Sequence, residues 1–371
     1  MTLYSWVYPL TSLLVSTLVT LVLMPLLLYL CKKKKLYDLP DERKVHHSNN
    51  IPRLGGVLFV PAMLVGTIAS LILMLGNLDM FEVKVSGLIL LSGFFLIYLI
   101  GLMDDIFGMD ARLKFVIQIV SSLFYPLCGV QINNLYGFLG VGELSLWLSY
   151  PLTIFVSLLI INAINLIDGI DGLASGLSII ALTGFTVLFY DMGILGYTLF
   201  SCGFLGAVIA FYYYNMFGSE KRNTKTFMGD AGSLVLGYAL AYFAIKYAMC
   251  KPEIIPYNPM ALFISYTLVL VPTFDLVRVA LSRLKRGVPL FHPDKTHIHH
   301  KIMEAGLSMR NTLWVILSLS LFYIFLNGLL AVCQIDVNVI VLVDIILFSL
   351  LHLGLNYCIR RRKAKKVLPD K

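Results

Sequence analysis

The sequence predicts an all-α polytopic membrane protein, and three observations lead to that fold class. Of its 371 residues, 58% are hydrophobic and only 13% are charged, a composition typical of membrane proteins rather than soluble domains. Apolar stretches of about 20 residues, the length that a spanning helix needs, recur along the chain. Lys and Arg concentrate between alternate stretches, as they do in cytoplasmic loops. We therefore expect a single integral membrane domain over residues 1–371.

Eleven apolar stretches are candidate transmembrane helices. They cover roughly residues 6–31, 54–75, 85–102, 114–130, 148–164, 173–190, 195–214, 232–249, 258–280, 311–331 and 339–358. Placing the Lys32–Lys35 run in the cytoplasm puts 26 of the 29 Lys and Arg on that same side. The N-terminus is then outside, and the C-terminus, with its basic tail 360–371, is cytoplasmic. The net charge of +8 is thus mainly a topology signal, with attraction to membrane lipids second. No nucleic-acid partner is expected, because no recognition motif accompanies the charge.

The first cytoplasmic loop, residues 32–53, supplies candidate anion-binding side chains. Lys32–Lys35 lie at the membrane edge, where attraction to lipid head groups accounts for them. Arg43, His47 and Arg53 lie farther from that edge and are candidates for contacting a phosphate.

Two adjacent carboxylates, Asp104 and Asp105, end the third span. They repel each other unless a cation or a proton lies between them. Successive helical side chains point about 100° apart, so we expect one to face a metal and the other a substrate proton or a supporting partner. Lys114, at the start of the fourth span, is expected to steer or bind phosphate. Taken alone, such an acidic pair is more often a helix cap.

Residues 162–172 place carboxamides and carboxylates directly after an apolar run. Four polar side chains recur there every three residues: Asn162, Asn165, Asp168 and Asp171. Such spacing keeps neighbours within reach on a helix. An acid at mid-membrane costs roughly 2.5–3.5 kcal/mol, so the cluster lies at the membrane rim or pairs with a cation. Gly169 and Gly172 are expected to end the helix and bring backbone near a ligand. We interpret the segment as half of a metal and phosphate site; a solvated loop is the alternative.

The loop after the seventh span leads into the next helix through Phe227-Met228-Gly229-Asp230. An acid in the first turn of a helix is favourable in itself, which would explain Asp230 without any ligand. The same helix N-terminus also offers free N–H groups to an anion, and Phe227 offers a flat surface for a base. The combination suits a nucleotide diphosphate with a divalent metal.

Three histidines follow the ninth span in the pattern His297-Ile298-His299-His300. The pattern could bind zinc, but no matching set of Cys accompanies it. The oxygen ligands elsewhere favour Mg²⁺, with Mn²⁺ as an alternative. We expect the imidazoles and Lys295 to donate hydrogen bonds to sugar or phosphate oxygens.

Four further polar residues lie inside predicted spans. Asp275 and Arg278 are three residues apart and can pair on one helix face, a pair that we take as mainly structural. The sequence assigns no role to Asp344 and His352.

All of the functional candidates fall on the cytoplasmic side under the charge-derived topology. Carboxylates for a divalent cation, basic groups for phosphate and an aromatic ring beside a Gly turn are typical of phosphoryl transfer. Because the site lies at the membrane boundary, we expect one soluble substrate and one lipid substrate.

These residues resemble a known family, the polyprenyl-phosphate N-acetylhexosamine-1-phosphate transferases. The superfamily includes MraY, and within it the chain is most similar to the WecA/TagO-type enzymes. The resemblance covers residues 35–310 by motif and the rest by span count. It rests on RKVHHSNNIPRLGG at 43–56, DD at 104–105, NAINLIDGIDGL at 162–173, FMGDAGS at 227–233 and HPDKTHIHH at 292–300.

The resemblance implies a reaction and a location. GlcNAc-1-phosphate would pass from UDP-GlcNAc to undecaprenyl phosphate, with Mg²⁺, giving undecaprenyl-diphosphate-GlcNAc and UMP. This is the priming step of envelope polysaccharide synthesis, at the bacterial cytoplasmic membrane with the active site facing the cytoplasm. A homodimer is left open.

The resemblance also implies roles for individual residues. Asp104 and Asp105 match the acidic pair that handles the lipid phosphate and assists the metal, and Asp230 matches a metal ligand. Asp171 and Phe227 match uridine contacts. The other matches are Asn165 and Asp168 as polar residues of the same site, the catalytic histidine motif at His297, His299 and His300, and Asn215 as a loop residue that helps hold the nucleotide.

Three alternatives remain at this point. The donor could be another UDP-HexNAc, or UDP-MurNAc-pentapeptide as in MraY, although the His-Ile-His-His motif argues against the latter. An ion-coupled membrane transporter would need polar groups at the midplane, whereas these cluster at one face. A membrane scaffold would leave the acids and histidines unexplained.

Overall fold

Within residues 6–36, 51–75, 85–253, 255, 257–289 and 295–367, which the computed structural model describes, the chain is almost wholly helical. This confirms the all-α fold class. The helices are α1 (Val7–Lys34), α2 (Phe59–Leu75), α3 (Val85–Phe107), α4 (Ala111–Leu127), α5 (Leu146–Ile167), α6 (Leu173–Asp191), α7 (Leu195–Phe217), α8 (Gly229–Ala248), α9 (Ala261–Leu268), α10 (Leu270–Lys285), α11 (Ile298–Ala305), α12 (Met309–Val332) and α13 (Val337–Val367).

The number of spans differs from the eleven that the sequence predicts. In the described part of the chain nine helices are long and apolar enough to cross a membrane, and a bent pair makes ten. The predicted span 258–280 is that pair, because the chain bends by 77° between α9 and α10. The predicted span 114–130 is α4, which has only 17 residues. At 1.5 Å per residue it measures about 25 Å, less than the roughly 30 Å of hydrocarbon.

Helix α8 lies at the centre of the bundle. Every residue from Ala231 to Ala248 is buried, and the helix packs against α3, α5, α6 and α9. Small residues permit this close packing: a Cβ at Gly237 would lie 2.7 Å from the Cα of Ile161 on α5. The N-terminus of α8, which carries Asp230, is therefore held firmly among its neighbours.

The Gly55-Gly56 motif fixes the loop that enters α8. The N–H of Phe227 donates to the carbonyl of Pro52 at 2.8 Å, and the N–H of Gly56 donates to the carbonyl of Met228 at 2.9 Å. A Cβ at Gly56 would overlap the backbone of Gly232, so the two chain segments can approach this closely only with glycine. The motif therefore holds the start of α8 in place.

A buried polar cluster ties the break between α9 and α10 to the last two helices. The hydroxyl of Tyr266, at the end of α9, donates to Asp344 on α13. The amide of Asn327 on α12 donates to Asp344 at 3.0 Å and to the hydroxyl of Thr267 at 3.1 Å. Asp344 thus joins α9, α12 and α13 at the bend. His352 lies two turns further along α13 and packs against Phe348.

Candidate active site

A cavity of about 690 Å³ opens where α3, α5 and α10 end and where α4, α8 and α11 begin. It brings together most of the side chains that the sequence nominated. The predicted residues that line it are Arg53, Asp104, Asp105, Lys114, Asn165, Asp168, Asp171, Asn215, Phe227, Asp230, His297, His299 and His300.

Three nominated residues remain. Arg43 and His47 lie outside the described residues. Lys295 is exposed and does not line the cavity wall. It lies three residues before the start of α11, whereas the histidines on and beside that helix line the cavity.

Asp105 caps the N-terminus of α8. Its two carboxylate oxygens accept hydrogen bonds from the backbone N–H groups of Asp230 at 2.8 Å and Ala231 at 2.9 Å. A carboxylate at this position offsets the positive end of the helix and satisfies two N–H groups that have no partner within it. Asp105 therefore orients the helix that carries Asp230, and its oxygens are already engaged.

Lys114 joins the other two acids of the site. Its Nζ donates to Oδ2 of Asp104 at 3.0 Å and also forms an ion pair with Oδ2 of Asp230. The second oxygen of Asp104 accepts from the backbone N–H of Met109 at 2.8 Å, which fixes its orientation. The sequence predicted that the adjacent acids Asp104 and Asp105 would play different parts, and their contacts differ accordingly.

The remaining oxygen of Asp230 faces an amide. Nδ2 of Asn165 lies 3.3 Å from Oδ1 of Asp230 and donates to the hydroxyl of Ser233 at 2.8 Å. The side chains of Asp104, Asp230 and Asn165 thus converge. The Lys114 ammonium lies between the two carboxylates and balances their charge.

This donor set fits Mg²⁺. Among the described residues no three His, Cys, Asp or Glu side chains converge closely enough to form a metal cage. Mg²⁺ does not require one, since it is usually held by one or two carboxylates and completes its coordination with water and substrate phosphates. Two carboxylates that already share a cation meet that requirement, and the Asn165 amide group lies beside them.

On another wall of the cavity, Asp171 pairs with a lysine. Nζ of Lys225 contacts Oδ2 of Asp171 at 2.5 Å and donates to the backbone carbonyl of Asn215 at 2.7 Å. The Asn215 side chain accepts from the N–H of Gly172 at 2.7 Å and donates to the carbonyl of Thr226 at 2.9 Å. Asn215 therefore links Gly172, at the end of the turn between α5 and α6, to Thr226, the residue before Phe227.

Of the three histidines, His297 and His299 are both buried but differ in their contacts. Nδ1 of His297 lies 2.8 Å from Oδ2 of Asp275 on α10. His299 is 1% exposed and its two ring nitrogens have no hydrogen-bond partner among the described residues. Burial, with the nearby His300 and His297, lowers the pKa of His299 to about 3, so its ring is neutral at physiological pH.

The cavity also has an apolar half. Its lining residues come from α4, α5 and α10: Phe115, Phe155, Leu158, Leu159, Leu276, Val277, Ala280 and Leu281. A polar end with five acids and an apolar wall beside it suit a ligand with a charged head and a hydrocarbon tail.

Several residues of the site were missed in the sequence. Lys225 and Arg283 were counted only as topology signals, and Gln118, Ser233 and Asp275 were given no part in the site. Gln118 accepts from the amide of Asn162 at 2.7 Å, and Arg283 is a buried lining residue. A stronger signal was available for Asp275, since an acid inside a predicted span needs several donors to be tolerated.

The fold and the site define a multi-pass membrane protein with a polar cavity at one end of its helices. A family model described as glycosyl transferase family 4 matches residues 87–248. A probable undecaprenyl-phosphate N-acetylglucosaminyl 1-phosphate transferase of Bacillus subtilis is 32% identical over 310 residues, which are 81% of this chain and 79% of the relative. An undecaprenyl-phosphate alpha-N-acetylglucosaminyl 1-phosphate transferase of Escherichia coli O157:H7 is 29% identical, over 89% of this chain and 85% of the relative.

The chain belongs to this glycosyl transferase family and is a membrane-embedded phosphoglycosyl transferase. The resemblance that the five motifs predicted is thereby confirmed. An equivalent enzyme of Yersinia pestis, 27% identical over 88% of this chain and 84% of its own length, carries the same name as the Escherichia coli relative.

Proposed function

We propose that this enzyme transfers GlcNAc-1-phosphate from UDP-GlcNAc to undecaprenyl phosphate, giving undecaprenyl-diphosphate-GlcNAc and UMP. The observation that carries the proposal is a cavity in which acids, amides and cations adjoin an apolar wall. The names of the relatives support the choice of sugar phosphate and lipid. The His-Ile-His-His motif supports the GlcNAc donor over UDP-MurNAc-pentapeptide.

Mg²⁺ would be held by Asp104, Asp230 and Asn165. When bound, it would neutralise the diphosphate of the donor and so favour departure of UMP. The chain's own contribution is to keep the carboxylates in place: Met109 and Lys114 orient Asp104, while Asn165 and Lys114 orient Asp230. The Lys114 ammonium, released from the acids, is within reach of a substrate phosphate.

The nucleotide would lie along the wall formed by Asp171, Asn215 and Phe227. The Phe227 ring offers stacking area for uracil, and the Asp171 carboxylate accepts hydrogen bonds from N–H or hydroxyl groups. The lipid phosphate would enter from the apolar wall, with its chain against residues of α5 and α10. In this arrangement the donor diphosphate and the lipid phosphate would meet at the acids, which lie between the nucleotide wall and the apolar wall.

The reaction we favour is direct attack of a lipid phosphate oxygen on the sugar-linked phosphorus. The bond between that phosphorus and the UMP oxygen breaks, and UMP leaves with the electron pair. Inversion of configuration at a chiral phosphorus supports this single step. Retention would instead indicate two displacements, through a phosphorylated aspartate.

The proposed orientation places the cavity on the cytoplasmic side of the bacterial cytoplasmic membrane. The distribution of Lys and Arg supports it, since 26 of the 29 fall on that side.

The test uses purified protein with undecaprenyl phosphate, Mg²⁺ and a panel of UDP-sugars, following release of UMP and formation of lipid-linked sugar. We expect release with UDP-GlcNAc, its loss with EDTA, and its return with added Mg²⁺ or Mn²⁺. Release with only a different UDP-sugar would overturn the donor. Release with none, from folded protein, would overturn the proposed reaction, and uptake by proteoliposomes would then test transport.

A further inference from the structure

We infer that Asp275 is a positioning residue that sets which ring nitrogen of His297 faces the substrate. The inference rests on the proposed function for its kinetic consequence, but the contact itself stands on geometry alone. The sequence suggested only a structural pair between Asp275 and Arg278.

Asp275 is fully buried in α10 and uses its two oxygens differently. Oδ1 accepts from Arg278 at 2.7 Å and from the backbone N–H of Ile298 at 3.0 Å. Oδ2 lies 2.8 Å from Nδ1 of His297. The donors on Oδ1 lock the carboxylate plane, and Oδ2 is left facing the imidazole.

Arg278 and Ile298 also fix the position of the histidine backbone. The guanidinium of Arg278 donates to the carbonyl of Thr296 at 2.5 Å, one residue before His297. The N–H of Ile298, one residue after it, donates to Asp275. The chain is thus held to α10 on both sides of the histidine, and its ring has little freedom to move.

The contact with Asp275 selects a tautomer. A carboxylate only accepts hydrogen bonds, so Nδ1 of His297 must carry the proton. Nε2, on the opposite side of the ring, is then the atom available to the cavity that His297 lines. A substrate phosphate would meet one defined nitrogen, which accepts a hydrogen bond from a protonated oxygen or, once protonated itself, donates to an ionised one.

The neighbouring histidine lacks this arrangement. His299 stacks parallel to His297, with ring centroids 5.9 Å apart, yet neither of its nitrogens has a partner among the described residues. Its pKa of about 3 keeps it neutral at the pH at which enzymes work. His297 is therefore the better suited of these two to exchange a proton or a hydrogen bond with substrate.

The substitution Asp275→Asn tests the inference. The donors Arg278 and Ile298 require an acceptor, so the amide oxygen must take the place of Oδ1, and the NH₂ group must face His297. Nδ1 then becomes an acceptor and the proton moves to Nε2. We expect ¹⁵N NMR of histidine-labelled protein, with the His297 signals assigned by their loss in His297→Gln, to show the switch from the Nδ1–H to the Nε2–H tautomer.

In the transferase assay we expect kcat to fall about 10²-fold in Asp275→Asn, with the KM for UDP-GlcNAc within about twofold of its original value. Asp275→Glu, which keeps the carboxylate, should recover part of the loss. In a His297→Gln background the additional substitution Asp275→Asn should have little effect, because the ring that Asp275 positions is gone.

Asp344→Asn is the matched control, since Asp344 is an equally buried acid in a neighbouring polar cluster and does not line the cavity. Equal losses in both variants would mean that Asp275 acts only through folding, and would overturn the inference. An unchanged tautomer in Asp275→Asn would also overturn it. If the wild-type protein releases no UMP, the proposed function fails, and the NMR measurement alone decides the positioning role.

Discussion

Two carboxylate clusters in this protein differ in what surrounds them. Asp230, at the start of α8, shares an ammonium with Asp104 and lines a cavity of about 690 Å³. Asp344, on α13, accepts from the Tyr266 hydroxyl and the Asn327 amide and is closed off by packing. Each acid accepts hydrogen bonds from neighbouring side chains, but Oδ1 of Asp344 has no partner among the described residues.

The comparison separates acids that hold a fold from acids that can handle a ligand. At Asp344 the donors are neutral, and the cluster joins three helices at a bend. At Asp230 one donor is a flexible cation on a lysine side chain, which can leave when a metal or a phosphate replaces it. Burial differs too: Asp344 is 0% exposed, whereas the Asp230 side chain, which faces the cavity, is 26% exposed.

The largest expected difference between the clusters is in catalysis. Asp230→Asn should lower turnover by about 10³-fold or more, because the charge that faces Lys114 and the proposed metal is lost. Asp344→Asn should leave turnover near its original value, since that acid does not reach the cavity. UMP release measured on both variants, with circular dichroism in detergent as the folding control, makes the comparison. Near-normal turnover of the Asp230 variant would remove this residue from the metal site.

A second acid of the cavity, Asp171, depends on its own lysine. Lys225→Met should leave the Asp171 carboxylate without its ion pair and the Asn215 carbonyl without a donor. We expect about a tenfold rise in the KM for UDP-GlcNAc with a smaller change in kcat, because the nucleotide wall is disturbed while the acids near Lys114 are not.

Lys221→Met is the control for this prediction, since it removes an exposed charge of the same loop. An equal rise in KM in both variants would show that the loop charge, and not the pair with Asp171, matters for binding.

Much of this arrangement is predictable from the sequence because it depends on composition and local pattern. The apolar stretches gave the membrane class, and polar clusters at stretch ends gave most of the polar side chains that line the cavity. Contacts between distant segments were not accessible in this way. Nothing local to Asp105 indicates that it caps α8, 125 residues further on, and nothing near Asp275 indicates that it faces His297.

In the described part of the chain, nine helices or ten are of full spanning length, against the eleven spans that the sequence predicts, and the reason is related. Counting apolar residues along the sequence does not reveal the 77° bend between α9 and α10, because the residues on both sides of the bend are apolar. Nor does it show where a helix stops: α4 ends at Leu127, three residues before the predicted limit. Bends and ends depend on tertiary partners such as the Asp344 cluster.

The turn at Gly169 offers a sharper test of how closely the histidine segment packs on the acids. A Cβ at Gly169 would overlap the imidazole of His299, which has no room to withdraw because it is buried. Gly169→Ala should therefore cost about 1–3 kcal/mol of stability and lower turnover about tenfold, since α11 must shift away from α5.

Gly142→Ala provides the comparison, because a Cβ there meets no atom within 4 Å and the glycine has an unstrained φ. Thermal unfolding in detergent, measured for both variants, should show a lower midpoint only for Gly169→Ala. Equal midpoints would mean that the histidine segment is free to move.

The smallest expected effect concerns how stability depends on pH. The pKa of His299 is about 3 in the folded protein, against about 6.5 for an unperturbed histidine. Between these two values the unfolded chain binds a proton at this position and the folded protein does not. The free energy of unfolding must therefore fall as the pH is lowered from about 6.5 toward 3, and this contribution is fully present only above 6.5.

His299→Gln removes the titrating group while keeping a polar side chain of similar length. Its lost packing lowers the unfolding midpoint by an amount that does not depend on pH, whereas the missing titration flattens the curve. We therefore expect the midpoints of the wild-type protein and the variant to converge as the pH falls from 6.5 to 4.5, because only the wild-type protein loses the contribution of His299. Parallel curves over that range would mean that His299 takes up a proton in the folded state, and that this histidine, unlike the Asp344 cluster, is open to water.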